Sequence, residues 1–122
     1  MPIRIAESQI RDLVFTFYDR VRDDDVLGPV FEARLAGRWD DHLERMCDFW
    51  STVLLATGRF RGNPAAVHAG IPGIRPEHFD RWIELFGQTA FDILPAPVAT
   101  DVVGRSTRMR RGLERVACPR TD

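Results

Sequence analysis

Near the start of the chain, apolar residues fall at Ile10, Leu13, Val14, Phe17, Tyr18 and Val21. That spacing winds one continuous stripe along an α-helix. Ser8 is the expected N-cap, and Asp23-Asp24-Asp25 ends the helix after about Arg22. Asp25 then suits the cap of a short second helix, with Val26, Leu27, Val30 and Phe31 apolar and Gly28-Pro29 near its start. Gly37 interrupts the chain. A third helix is predicted from Trp39 to Leu55, with Trp39, Leu43, Met46, Phe49 or Trp50, and Val53 inward. The stretch from Thr57-Gly58 to Asn63-Pro64 reads as a loop. Pro64 suits the first turn of a short helix that carries His68, which Gly70, Pro72 and Gly73 stop. Pro76 opens a long helix to about Ile93, with Phe79, Trp82, Ile83, Phe86, Ala90 and Ile93 on its buried side. Leu94-Pro95-Ala96-Pro97 reads as a turn, and a last helix covers Val98 to Val116. The tail from Cys118 to Asp122 is expected to fray. Strand signals are weak throughout, so the pattern gives an all-α fold of six helices.

Composition narrows the picture. A chain of 122 residues makes one domain, residues 1–122, with a single core. Its net charge of -1 points to neither nucleic acid nor an anionic membrane as partner. No apolar run is long enough to span a bilayer, and the N-terminus lacks a signal-peptide core. Cys47 and Cys118 are too few and too dispersed for a disulfide framework or a four-ligand zinc site. A reduced, cytoplasmic setting is the default. Every basic residue is arginine, which removes lysine chemistry from any mechanism.

The candidate chemistry centres on His68, a lone imidazole on a short turn between two loops. A helical chain with few polar groups facing inward, one of them an isolated imidazole, suits a buried haem, whose iron takes a neutral histidine as fifth ligand. Tyr18 is the one tyrosine and lies on the apolar stripe of the first helix, where a buried hydroxyl needs a partner. His42 and Met46 share a face of the third helix at i, i+4. Trp82, between Phe79 and Phe86, carries a donor-only N–H. Phe31, Phe49 and Trp50 can wall a porphyrin or simply fill the core. His78 can meet a haem edge or cap its helix. Arg59 and Arg61 precede His68 and can pair with a propionate; Arg61 is preferred. Asp40, Asp41, Glu44 and Asp48 read as a solvated helix face. There is no phosphate-binding glycine loop and no His-Glu-x-x-His pair, and nothing near Cys47 lowers a thiol pKa.

Phe17-Tyr18, Val26-Leu27-Gly28-Pro29-Val30-Phe31, Phe49-Trp50, Gly62-Asn63-Pro64-Ala65-Ala66-Val67-His68 and His78-Phe79-Asp80-Arg81-Trp82, in that order, resemble the truncated haemoglobins over about Ser8 to Arg115. The resemblance implies a globin-like, two-over-two helical sandwich around haem b. It implies His68 as proximal iron ligand, Tyr18 and Trp82 on the distal side, and Phe31 against the porphyrin. The set Tyr18, His42 and Trp82 is most similar to group III. The glycine pairs common in groups I and II are missing here, since Gly58 and Gly62 are isolated.

The function this implies is reversible binding of O2, with NO, CO or peroxide as other ligands, at a His68-ligated iron. Phe31, Met46, Phe49, Trp50, Arg61 and Phe79 complete the cofactor site, and Tyr18, His42 and Trp82 face the ligand. Several donors to bound O2 imply slow release, which argues against simple oxygen transport, and they also assist O–O polarisation. Peroxide reduction or nitric oxide oxidation, fed by an unidentified reductase, is the expected side activity. The other reading is a helical interaction domain without haem, in which these aromatics are only core. A sensor or electron-transfer module is less suited, because the chain offers no output domain.

Overall fold

The computed structural model describes residues 5–71 and 73–118. They form six helices: α1 (Glu7–Asp23), α2 (Leu27–Leu35), α3 (Trp39–Leu55), α4 (Pro64–Ala69), α5 (Pro76–Ile93) and α6 (Ala96–Ala117). All six predicted residues of the α1 stripe are buried, from Ile10 to Val21. Helix α1 packs on α2, α3 and α5, while α6 packs on α5 and α4. The layers are therefore α1 with α3 and α5 with α6, joined through the α1–α5 crossing.

Several boundaries move, each for a local reason. Ser8 lies inside α1 rather than capping it. The carbonyl of Ala6 accepts from the Gln9 and Ile10 N–H groups, and the Gln9 side chain accepts from the Ala6 N–H at 2.8 Å. Asp24, not Asp25, caps the second helix: its carboxylate accepts from the N–H groups of Val26 (3.1 Å) and Leu27 (2.9 Å). Ala96 and Pro97 belong to the first turn of α6 instead of the preceding turn, where a missing N–H costs nothing. Pro72, read as a helix stop, and Pro119 to Asp122, read as a fraying tail, lie outside the described residues. Gly70 does end α4, its N–H donating to the carbonyls of Ala66 and Val67.

Two contacts fix how the helices meet. A Cβ on Gly28 would lie 3.0 Å from the Arg22 carbonyl oxygen, so α2 approaches the end of α1 as closely as it does only with glycine there. Arg81 of α5 reaches Asp24 at 2.6 Å, where the Asp24 side chain is 7% exposed. Burial pushes the Asp24 carboxyl up, but the Arg81 guanidinium and the Leu27 and Val26 N–H groups outweigh it and hold the carboxyl below its ordinary value. One carboxylate thus caps α2 and ties the α1–α2 turn to α5. Among the described residues no helix is long and apolar enough to cross a membrane.

Candidate functional site

Helix α4 is only six residues long, too short to hold itself together. Three local features define it: Pro64 in the first turn, Asn63 Oδ1 accepting from the Ala66 N–H at 3.1 Å, and packing against α6. The fourth feature is His68. Its Nδ1 lies 2.6 Å from the Pro64 carbonyl oxygen. A carbonyl can only accept, so Nδ1 carries a proton, and in the neutral ring Nε2 is then the nitrogen with the lone pair. The ring is half-buried, with the Phe79 ring 6.1 Å away.

A second group of rings gathers where α1, α2 and α3 meet. Tyr18 is buried, and its ring lies 5.8 Å from Phe31, 6.4 Å from Trp39 and 4.9 Å from His42. Burial pushes the Tyr18 phenol well above its ordinary range, so its proton stays in place as a donor. The Tyr18 hydroxyl makes no hydrogen bond among the described residues. Burial, reinforced by the charge of Arg45, pushes His42 down to about 4. His42 Nε2 is buried with no hydrogen-bond partner among the described residues.

Trp82 stands in a third arrangement. It stacks on Phe86 (4.7 Å, 14° between planes), which stacks in turn on Trp50 (5.1 Å, 16°). Phe17 meets Trp82 and Phe86 edge-on. The three-ring stack seats Trp82 against the core and leaves it half-buried, while Trp50 is 3% exposed and sits behind Phe86. Phe49 turns the other way, against Phe60 at 5.1 Å as well as Trp50 at 5.2 Å. Met46 is half-buried one turn beyond His42.

The structure thus brings Tyr18, His42 and Phe31 together, and His68 with Phe79. The spacing of Phe79, Trp82 and Phe86 suggests one aromatic face, but Phe79 lies by His68 while Trp82 and Phe86 join the core stack. Of the two candidate arginines, Arg59 is engaged by Glu7 and by Asp48 at 3.5 Å; Arg61 is exposed and makes no ion pair among the described residues. His78 caps α5, its Nδ1 accepting from the Arg75 N–H at 2.9 Å. Glu44 and Asp48 are not merely solvated, since they pair with Arg11 and Arg59 across α1, α3 and the following loop. Burial pushes the Cys47 thiol up, away from nucleophilic use.

Sequence reasoning missed two members. Trp39 was expected inward but not beside the site. It lies three residues before His42 on the same face, and that spacing was the available signal. Its Nε1 donates to Glu32 at 2.8 Å. Phe60 lies in a loop, outside any periodic pattern, and gave no signal. It is held by its N–H donating to Thr52 Oγ1 at 3.0 Å and by Arg45 over its ring at 5.4 Å.

A sandwich of two helix pairs with a lone histidine on a short, capped turn defines a globin of shortened type. The fold matches the crystal structure of the group III truncated hemoglobin from Campylobacter jejuni with a TM-score of 0.92, covering 100% of this chain and 99% of that one at 24% identity. The sequence is 32% identical over 88 residues to the "Group 3 truncated hemoglobin ctb" of Campylobacter jejuni subsp. jejuni, covering 70% of this chain and 69% of that protein. This chain belongs to the group III truncated haemoglobins, and so to the haem-binding globins. No protein-family model matches it.

The residues present suit such a group. Among the described residues no three of His, Cys, Asp or Glu gather as a metal site. A lone imidazole with a free Nε2 holds a metal only when a macrocycle supplies the other ligands. The unpartnered His42 Nε2 is a buried atom of the kind a bound molecule completes.

Proposed function

We propose that this chain binds haem b through Nε2 of His68 and uses it to hold O2 or another diatomic ligand beside Tyr18, His42 and Trp82. The observation that carries this reading is the 2.6 Å contact from His68 Nδ1 to the Pro64 carbonyl. It sets the tautomer and the ring plane before any cofactor arrives, which is the support a ligating histidine needs. Phe31, Met46 and Phe79 supply apolar wall, Trp50 backs it through the stack with Phe86 and Trp82 while Phe49 packs on Trp50 and Phe60, and Arg61 pairs with a propionate. Haem, when bound, supplies an open coordination position at which O2, NO, CO or peroxide is held.

The chain's own contribution is a set of donors. Tyr18 keeps its phenolic proton at any pH the protein meets and donates it. His42 stays neutral at pH 7, so it donates from one nitrogen and accepts at the other without bringing a charge into the site. Trp82 donates only, and its stack on Phe86 fixes its ring plane. Such donors favour a ligand with a partly negative outer oxygen over neutral CO. Tyr18 and His42 also hold protons where a peroxide oxygen would need them, so peroxide reduction with externally supplied electrons, or oxidation of NO, is the secondary activity to assay.

The test is a UV–visible spectrum of the purified protein, ferric, then reduced, then with CO. A Soret band that shifts at each step and is lost in His68→Ala supports the reading. A colourless protein that takes up no hemin overturns it and leaves a helical interaction domain.

A further inference from the structure

The charges of this chain are segregated. The segment from Thr57 to Arg75, which carries His68, holds three arginines and no acidic residue. The second half of α6, from Val103 to Cys118, holds five arginines and one acid, Glu114. These two segments contain eight of the 17 basic residues and one of the 18 acidic ones, in a chain whose net charge is -1. They are also neighbours in space: α4 packs against α6, and the Cys118 thiol meets the Ile74 carbonyl at 3.5 Å.

The arginines of α6 divide into two sets. Arg105 reaches Asp101 and the Val53 carbonyl, and Arg110 reaches Asp80 and Glu114. Arg108, Arg111 and Arg115 are exposed and make no ion pair among the described residues. Spaced three and four apart, they share one face of the helix. Arg75, at the start of α5 beside Ile74, is likewise exposed and unpaired. A merely solvated face mixes both signs, whereas this one concentrates a single sign on the helix that packs against α4, which bears His68.

We propose that the stripe Arg108, Arg111 and Arg115, continued by Arg75, is the docking surface for an acidic one-electron donor protein that reduces the haem. This inference rests on the haem reading above. The stripe spans roughly 10 Å of helix, the scale of a small transient redox contact rather than of an extended interface. The rest of the chain is acidic, so a long polyanion such as a duplex or an anionic bilayer meets repulsion beyond the stripe, and a compact acidic protein does not. The transfer balances simply: one electron leaves the donor's iron–sulfur cluster and takes ferric haem iron to ferrous, with no atom or proton moved.

The experiment compares the haem-loaded protein with Arg108→Gln/Arg111→Gln/Arg115→Gln, using an acidic plant-type [2Fe–2S] ferredoxin as the probe. Calorimetry measures binding of oxidised ferredoxin at about 50 and about 300 mM NaCl, and stopped-flow under CO measures reduction by reduced ferredoxin. Wild-type binding should weaken with salt. The triple variant should be reduced about tenfold more slowly at low salt and converge with wild type at high salt. Dithionite reduction and an unchanged Soret band show that the variant keeps its haem site. A variant that binds and is reduced like wild type overturns the proposal, as does a wild type that prefers phosphatidylserine vesicles or duplex DNA at low salt. A protein with no Soret band fails the haem reading instead, and ferredoxin calorimetry on the haem-free chain still decides whether the stripe docks an acidic protein.

Discussion

The imidazole of His42 stands edge-on to the Tyr18 ring, centroids 4.9 Å apart and planes at 87°. One residue comes from α3 and the other from α1, and the same burial acts on both in opposite directions. It raises the phenol and lowers the imidazole, so each is held neutral. A charged imidazolium beside the ring would bring a cation into a buried site where the nearby charge acting on it, Arg45, is also positive.

That arrangement predicts a pH dependence of stability. Below about pH 6.5 the unfolded chain takes up a proton on His42 that the folded chain refuses until about pH 4. Falling pH therefore favours unfolding across that window, and the loss is complete below it. The penalty should be on the order of 2 kcal/mol, after discounting for screening at the ring's exposed edge. Carboxylates such as Asp24 lose stability in the same direction at acid pH, so the informative quantity is a difference. Urea midpoints measured between pH 7 and pH 4 should fall less steeply for His42→Phe than for wild type. Equal slopes would show that His42 titrates as freely folded as unfolded.

If the Tyr18 hydroxyl donates to bound O2, Tyr18→Phe keeps the ring contacts to Phe31 and His42 and removes one hydrogen bond. O2 dissociation from the ferrous protein should then quicken about tenfold, the kinetic value of a hydrogen bond of about 1.4 kcal/mol. Trp82→Phe should also quicken it, with stability falling by about 1 kcal/mol because Phe covers less of Phe86 than indole does. CO dissociation, which such donors help little, is the control. An O2 off-rate unchanged in both variants would show that neither side chain reaches the ligand.

Ala56 ends α3 in the left-handed region, at φ 58 and ψ 35, and is the one non-glycine among the described residues with positive φ. Its N–H donates to the Thr52 carbonyl at 3.1 Å, so the conformation closes the helix. A Cβ in that region costs about 1 kcal/mol, which glycine avoids. Ala56→Gly should therefore raise the urea midpoint, with a gain of about 0.5 kcal/mol after the entropy of the unfolded glycine is counted. Ala56→Val should lower it, and neither should change a haem spectrum.

The helices were legible because burial imposes a period. The α1 stripe from Ile10 to Val21 and the core residues Phe86 and Ala90 of α5 follow from spacing alone. Ends were less legible. Helix caps are made by whichever oxygen reaches the free N–H groups, and Asp23, Asp24 and Asp25 offer three equivalent carboxylates in sequence. Only the approach of Arg81 from another helix separates Asp24 from its neighbours. The pairing of Tyr18 with His42 was read from resemblance rather than pattern, since Asp40-Asp41-His42 looks solvated taken alone. Phe60 was illegible because its place depends on a loop's path, which no periodicity encodes.

Asn63 gives the sharpest separation between holding the fold and holding the cofactor. Helix α4 has six residues, and among the described residues its first turn is pinned by one side-chain hydrogen bond, from the Ala66 N–H to Asn63 Oδ1. Asn63→Ala removes that bond at a cost of about 1 kcal/mol to the helix. The main core lies in α1, α3, α5 and α6, and no residue of α4 is fully buried, so global unfolding should shift little. The His68 ring, however, is aimed by the Pro64 carbonyl in that same first turn. Fraying α4 therefore loosens the imidazole that holds iron in the proposed reading. Haem transfer to excess apomyoglobin should run about fivefold faster in Asn63→Ala, while the urea midpoint followed by far-UV circular dichroism stays near wild type. His68→Ala should retain little haem at all. A transfer rate for Asn63→Ala equal to wild type would mean that the cofactor is held by something other than the turn that presents His68.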